Sequence, residues 1–165
     1  MQLEMNSLID VTEYEHIIRE EAWRRYINNQ RTGIEGMTNP TKARIQHTRG
    51  AAAEVAARLS LGVNPYGILE DEIGNADIEH RGVLYDVKCI TAEYPILHIQ
   101  YYEGVLDKRQ DWVIMVMMYE GIGWRFINHR EMSYNDLRFI DPVPASGGHR
   151  SAKWRIDMGD KNGKQ

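Results

Sequence analysis

One cysteine, Cys89, rules out a disulfide within the chain and fits a reducing compartment. No apolar run approaches the roughly 18 residues that a membrane-spanning helix needs. The first ten residues hold two acids, Glu4 and Asp10, and no Lys or Arg, which is wrong for the basic start of a secretory signal. Excess positive charge is also missing, since 20 Lys and Arg face 24 Asp and Glu. A protein that coats nucleic acid by charge alone would be basic, whereas a site that masks its acids with divalent cations fits a net charge of −4. The six histidines have no zinc-ligand spacing with the lone cysteine, and the glycines form no phosphate-cradling loop. There is no internal repeat and no linker. What is present is a globular balance, 42% hydrophobic and 27% charged, able to bury a core without staples. One domain over 1–158 with a disordered tail over 159–165 is expected.

Thr12-Glu13-Tyr14-Glu15 reads as a capping box opening a helix over 13–30. Its apolar stripe is Tyr14, Ile17, Ile18, Ala22, Tyr26 and Ile27. Arg19, Arg24, Arg25 and Arg31 lie toward its end, facing either solvent or a phosphate backbone. After a loop containing Gly33 and Gly36, Asn39 as N-cap and Pro40 as first residue start a second helix over 40–61. Its alanine-rich centre, "GAAAEVAA", allows close packing on a sheet, and Gly62, Asn64, Pro65 and Gly67 end it. Strands are predicted over 75–79, 83–90 and 96–102. "WVIMVMMY", 112–119, is apolar throughout and reads as a central strand covered on both faces. Gly121 and Gly123 turn the chain into a strand over 124–127. Ser133 caps a short helix to 139, and 151–157 is a last strand with Ala152, Trp154 and Ile156 on one face. Two helices followed by a mixed sheet make the fold α/β or α+β.

The stretch "GNADIEHRGVLYDVKCI", 74–90, places charge where a hairpin should be buried, and unpaired buried charge costs several kcal/mol. If Arg81-Gly82 is a two-residue turn, His80 pairs with Val83 and Asp77 falls opposite Asp86. Period two then puts Asp86 and Lys88 on one face with Leu84 and Ile90, and Val83, Tyr85, Val87 and Cys89 on the other. Side-by-side carboxylates repel. Either Lys88 neutralises them as a structural ion pair, or a hard cation such as Mg²⁺ or Mn²⁺ lies between them with the lysine beside its water. The spacing leaves both readings open.

Asp77 followed by Asp86-Val87-Lys88 on a hydrophobic strand resembles the PD-(D/E)xK, or restriction-endonuclease-like, nuclease superfamily. There an acid on one strand precedes an acid-x-lysine on the next, and an upstream helical glutamate joins them. Glu54 in "RGAAAEVAARL" matches that glutamate, and Gln100 in "LHIQYY" matches a glutamine that some members carry on the following strand. The likeness covers about 41–127 and lacks the proline before the first acid, where Ala76 stands. It implies a mixed central sheet flanked by helices and Mg²⁺- or Mn²⁺-dependent hydrolysis of DNA phosphodiesters, in repair, recombination or phage DNA processing. Glu54, Asp77 and Asp86 would hold metal, Lys88 would activate water, and Gln100 would join the catalytic set. The alternatives are an inactive nucleic-acid-binding or assembly protein of the same fold, and a domain whose acids and lysine are purely structural.

Lys42, Arg44, His47 and Arg49 fall near the start of the second helix. With Lys153 and Arg155 they either track a nucleic-acid backbone or form solvated faces. Glu70, Asp71, Glu72 and Glu79 read as solvated acids, although Glu72 reaches the metal in another register. His98 shares a face with Gln100, and Cys89 reads as a small buried hydrophobe. A cytoplasmic location is expected, in the host if the chain is viral. A homodimer is expected because two symmetric sites suit double-strand cleavage.

Overall fold

A computed structural model describes residues 7–32, 40–70, 76–145 and 152–159. In chain order the elements are β1 (Leu8–Asp10), a 3₁₀ turn (Thr12–Tyr14), α1 (Glu15–Thr32), α2 (Pro40–Leu61), a 3₁₀ segment (Pro65–Glu70), β2 (Ile78–His80) and β3 (Val83–Thr91). There follow β4 (Ile96–Gln100), α3 (Val105–Arg109), β5 (Val113–Tyr119), β6 (Arg125–Ser133), a 3₁₀ segment (Tyr134–Phe139) and β7 (Lys153–Asp157). The expected Gly33–Gly36 loop, the Asn39 cap, Glu72, the first residue of the 75–79 strand and nearly all of the tail lie outside the described residues. Among the described residues no helix is long and apolar enough to cross a membrane.

The apolar run 113–119 forms the middle of a five-stranded sheet of order β1-β6-β5-β3-β2. β3 runs parallel to β5, β6 antiparallel, and residues Ile114 to Met118 are buried because both faces are covered. On one face lie α1 and α2, packing Ile17, Ile18 and the Ala51–Ala53 and Val55–Ala57 runs on Met115, Met117 and Phe126. Alanine at the contact lets α2 approach the sheet closely. On the other face Ile90, Ile114 and Val116 meet Leu97, Ile99, Tyr134, Leu137 and Trp154. The chain is therefore mixed α/β, with α1 and α2 on one side of the sheet and α3, a 3₁₀ segment and the small β4–β7 sheet on the other.

Several boundaries differ from the sequence reading. Thr12 does not cap α1, which begins at Glu15 after the 3₁₀ turn, because Asp10 captures both the Thr12 N–H (3.0 Å) and its hydroxyl (2.5 Å). α2 ends as expected: Gly62 (φ 73°) supports a Schellman cap, with Val63 N–H on Arg58 O (2.8 Å) and Gly62 N–H on Leu59 O (3.1 Å). β4 is no part of the central sheet. It pairs with β7 in a separate two-stranded sheet, because Leu97, Ile99 and Trp154 need the second core. β6 is longer than 124–127 and bulges between its Met117 and Val116 partners.

Candidate active site

The hairpin adopts the register inferred from its sequence. Arg81 (φ 52°) and Gly82 (φ 78°) form the two-residue turn, and the pairs are His80–Val83, Glu79–Leu84 and Ile78–Tyr85. β2 is only three residues long and lies at the sheet edge. At Asp77 the chain leaves the ladder: its N–H donates to Tyr85 O (2.9 Å). The Val87 N–H, which a regular next rung would direct to a backbone carbonyl, donates instead to Asp77 Oδ2 (2.8 Å). The side chain of Asp77 thus replaces a rung and is held at the open edge of β3.

From that edge Asp77 meets both layers. Its carboxyl contacts Glu54, which α2 brings in from the helical side, and Asp86, which β3 points toward the opposite side. Glu54 and Asp86 are buried, at 3% and 7% exposure. Burial, then the charges of Glu54 and Asp86, push the Asp77 carboxyl far above the usual carboxylate range, to about 9. Burial also raises Glu54, against the pull of Arg25. The second Glu54 oxygen, Oε1, lacks a donor unless Asp77 carries a proton. Without a cation, a proton on Asp77 relieves the repulsion among the three acids.

Each outer acid has its own cationic partners. Arg25 on α1 binds Glu54 through Nη2 and Glu21 through Nε (2.7 Å), and Glu21 is itself buried. Burial alone would lower the Arg25 pKa, but the Glu54 and Glu21 carboxylates override it and raise it. Arg25 therefore points inward, which corrects its reading as a solvent- or phosphate-facing cation. Lys88 Nζ lies 3.2 Å from Asp86 Oδ1 and keeps partial exposure. The Tyr134 hydroxyl donates to Asp86 Oδ2, with Arg109 Nη1 3.5 Å from the same oxygen and 3.0 Å from the hydroxyl. Arg109 lies over the Trp112 ring at 4.7 Å and beside the Tyr134 ring, and those two rings meet edge to face. Beneath Asp77, buried Arg58 donates to the Asp77 carbonyl (3.1 Å) and to Asn64 O (3.3 Å).

Of the predicted residues, Glu54, Asp77, Asp86 and Lys88 come together. Gln100 does not join them: it lies on the exposed face of β4 opposite Lys153, away from buried Leu97 and Ile99. Lys42, Arg44 and Arg49 lie on α2, in the helical layer. Lys153 and Arg155 lie on β7, in the layer across the sheet, so the two groups do not form one patch. Arg58, Arg109 and Tyr134 escaped the sequence reading. Arg25 was read there without its partners, although Glu21 four residues before it was a local signal.

All the acidic donors are hard oxygens, one is an orphaned buried carboxylate oxygen, and three like charges crowd together, so the set fits a hard divalent cation. Among the described residues no three Asp, Glu, His or Cys side chains form a ready-made metal cage. A cation here would draw on one or two of the carboxylates and on water, the usual Mg²⁺ arrangement. No family model matches the chain, and no curated protein or solved structure matches it.

Proposed function

We propose that the chain is a Mg²⁺- or Mn²⁺-dependent deoxyribonuclease with a restriction-endonuclease-like core. The observation that carries this reading is the meeting of Glu54, Asp77 and Asp86, from three separate segments, beside half-buried Lys88 at an open sheet edge. Asp77 and Asp86 would hold the cation, with Glu54 as a further ligand. When bound, the cation would lower the pKa of a water and offset charge on a phosphoryl oxygen. Lys88, tethered to Asp86, has the reach to orient that water or to steady the growing phosphate charge. Tyr134 and Arg109 fix the Asp86 carboxylate, Val87 N–H fixes Asp77, and Arg58 fixes its backbone. The decisive experiment is incubation with supercoiled, linear, single-stranded and branched DNA in Mg²⁺, Mn²⁺ or EDTA.

A second reading is an inactive nucleic-acid-binding or assembly protein that keeps this core. The ion pairs of Arg25 with Glu54 and of Arg109 with Asp86 favour it, because they already neutralise two of the acids. Calorimetry separates the two: the enzyme takes up Mg²⁺ or Mn²⁺, and the ion-paired protein does not.

A further inference from the structure

A cavity of about 400 Å³ opens between α1, α2 and the β5–β6 turn. Arg19, Arg44, Arg49, Tyr119 and Trp124 are among its walls, and among the described residues no acid is. Its aromatic end lies away from the acidic site, although Arg49 is only about 7.5 Å along α2 from Glu54. Tyr119 pairs with Thr91, five residues past Asp86 on β3, so about 16 Å of strand lies between them.

The charges are unusual for a chain with more acids than bases. Arg19 pairs with Glu15 (2.7 Å), but among the described residues neither Arg44 nor Arg49 meets a carboxylate. Each is laid over an aromatic ring instead: Arg44 over Trp23 at 5.5 Å and Arg49 over Tyr119 at 5.2 Å. These cation–π contacts hold the guanidiniums beside the cavity without using up their N–H donors, and a phosphate matches that fork geometry. The aromatic wall is equally fixed. Trp124 packs on the first core, and its carbonyl accepts the Val11 N–H (2.8 Å). Planar bases stack on such indole and guanidinium surfaces. The volume falls within the range of pockets that hold small ligands.

We propose that this cavity binds a nucleoside phosphate, with the phosphate on Arg44 and Arg49 and the base against Trp124. Two sources carry that chemistry: a free nucleotide and the phosphorylated terminal nucleotide of a DNA strand. The second source rests on the DNA reading above, though not on hydrolysis.

Calorimetric titrations in EDTA test this with dAMP, deoxyadenosine, inorganic phosphate, and oligonucleotides ending in a 5′-phosphate, a 3′-phosphate or hydroxyls only. The expected result is saturable binding of dAMP, or a preference for one phosphorylated end, with deoxyadenosine and phosphate at least about tenfold weaker. Arg44→Gln/Arg49→Gln, at exposed positions and checked by its melt, should abolish that binding or preference. dAMP binding assigns a free nucleotide as ligand, and end preference without dAMP binding assigns a strand end. The proposal is overturned if dAMP does not bind and phosphorylated and hydroxyl ends bind equally, or if binding survives the double substitution. Because the titrations exclude metal, nucleotide binding without any cleavage sinks only the nuclease reading. Cleavage without nucleotide or end binding sinks only this one.

Discussion

Asp77 is an acid whose surroundings demand a proton. Its pKa rises from 3.8 to about 9 on folding, so its contribution to stability is complete below 3.8 and fades as pH climbs toward 9. The metal-free wild type should therefore lose stability relative to Asp77→Asn between about pH 5 and pH 9, and thermal melts across that range check it. Added Mg²⁺ or Mn²⁺ should reverse the trend, because a cation takes the place of the proton. A flat difference between the two proteins would mean that the acids do not interact. Arg25 makes the complementary point on the helical side. Arg25→Met should cost about 3 kcal/mol, the low end for breaking a buried pair, because the arginine side chain keeps 27% exposure. Adding Glu54→Gln should recover much of that loss, as denaturant melts would show. Glu54 was legible in the sequence because alanines surround it. Arg109 and Tyr134 were not, since they reach Asp86 from 23 and 48 residues away and no local pattern records such a meeting.

Among the elements, the β2–β3 hairpin shows how far local chemistry reaches. Two residues with positive φ set the register, the register sets Asp77 against Asp86, and the short β2 leaves the edge open. Arg81 is the one non-glycine residue with positive φ among the described residues, so Arg81→Asn should stabilise the fold by about 0.5–1 kcal/mol. A destabilised variant would mean that the turn is not of this type. The 3₁₀ segment Pro65–Glu70 holds the site from below. A Cβ on Gly67 would come within 2.4 Å of Arg58 Nη1, and Arg58 is buried under Asp77. Gly67→Ala should cost about 1–3 kcal/mol and weaken metal binding with it, read by melts and calorimetry. The span of α2 and the buried run of β5 were readable because Pro40, Gly62 and unbroken apolarity are local signals. The partners of β4 were not, because strand pairing across 50 or more residues depends on which core a strand fills.

At the scale of the whole molecule, the sheet separates two layers and the acids meet where it ends. The basic residues divide between those layers, so a DNA duplex cannot use all of them as one stripe. Among the described residues Arg44 and Arg49 meet no carboxylate, and substituting both should lower DNA affinity and flatten its salt dependence by about two units of slope. An unchanged slope in a filter-binding series would place the duplex elsewhere. The most direct test of the central claim is the cleavage rate of Lys88→Ala beside its melting temperature, with wild type in parallel. Lys88 lies on Asp86 at the open edge, so its charge should matter most as negative charge grows on the phosphate. The expected result is wild-type cleavage in Mg²⁺ or Mn²⁺, a loss of roughly 10²-fold or more in Lys88→Ala, and a melting temperature and Ca²⁺-supported DNA affinity that change little. Normal cleavage by well-folded Lys88→Ala, or no metal-dependent cleavage by wild type, would contradict it.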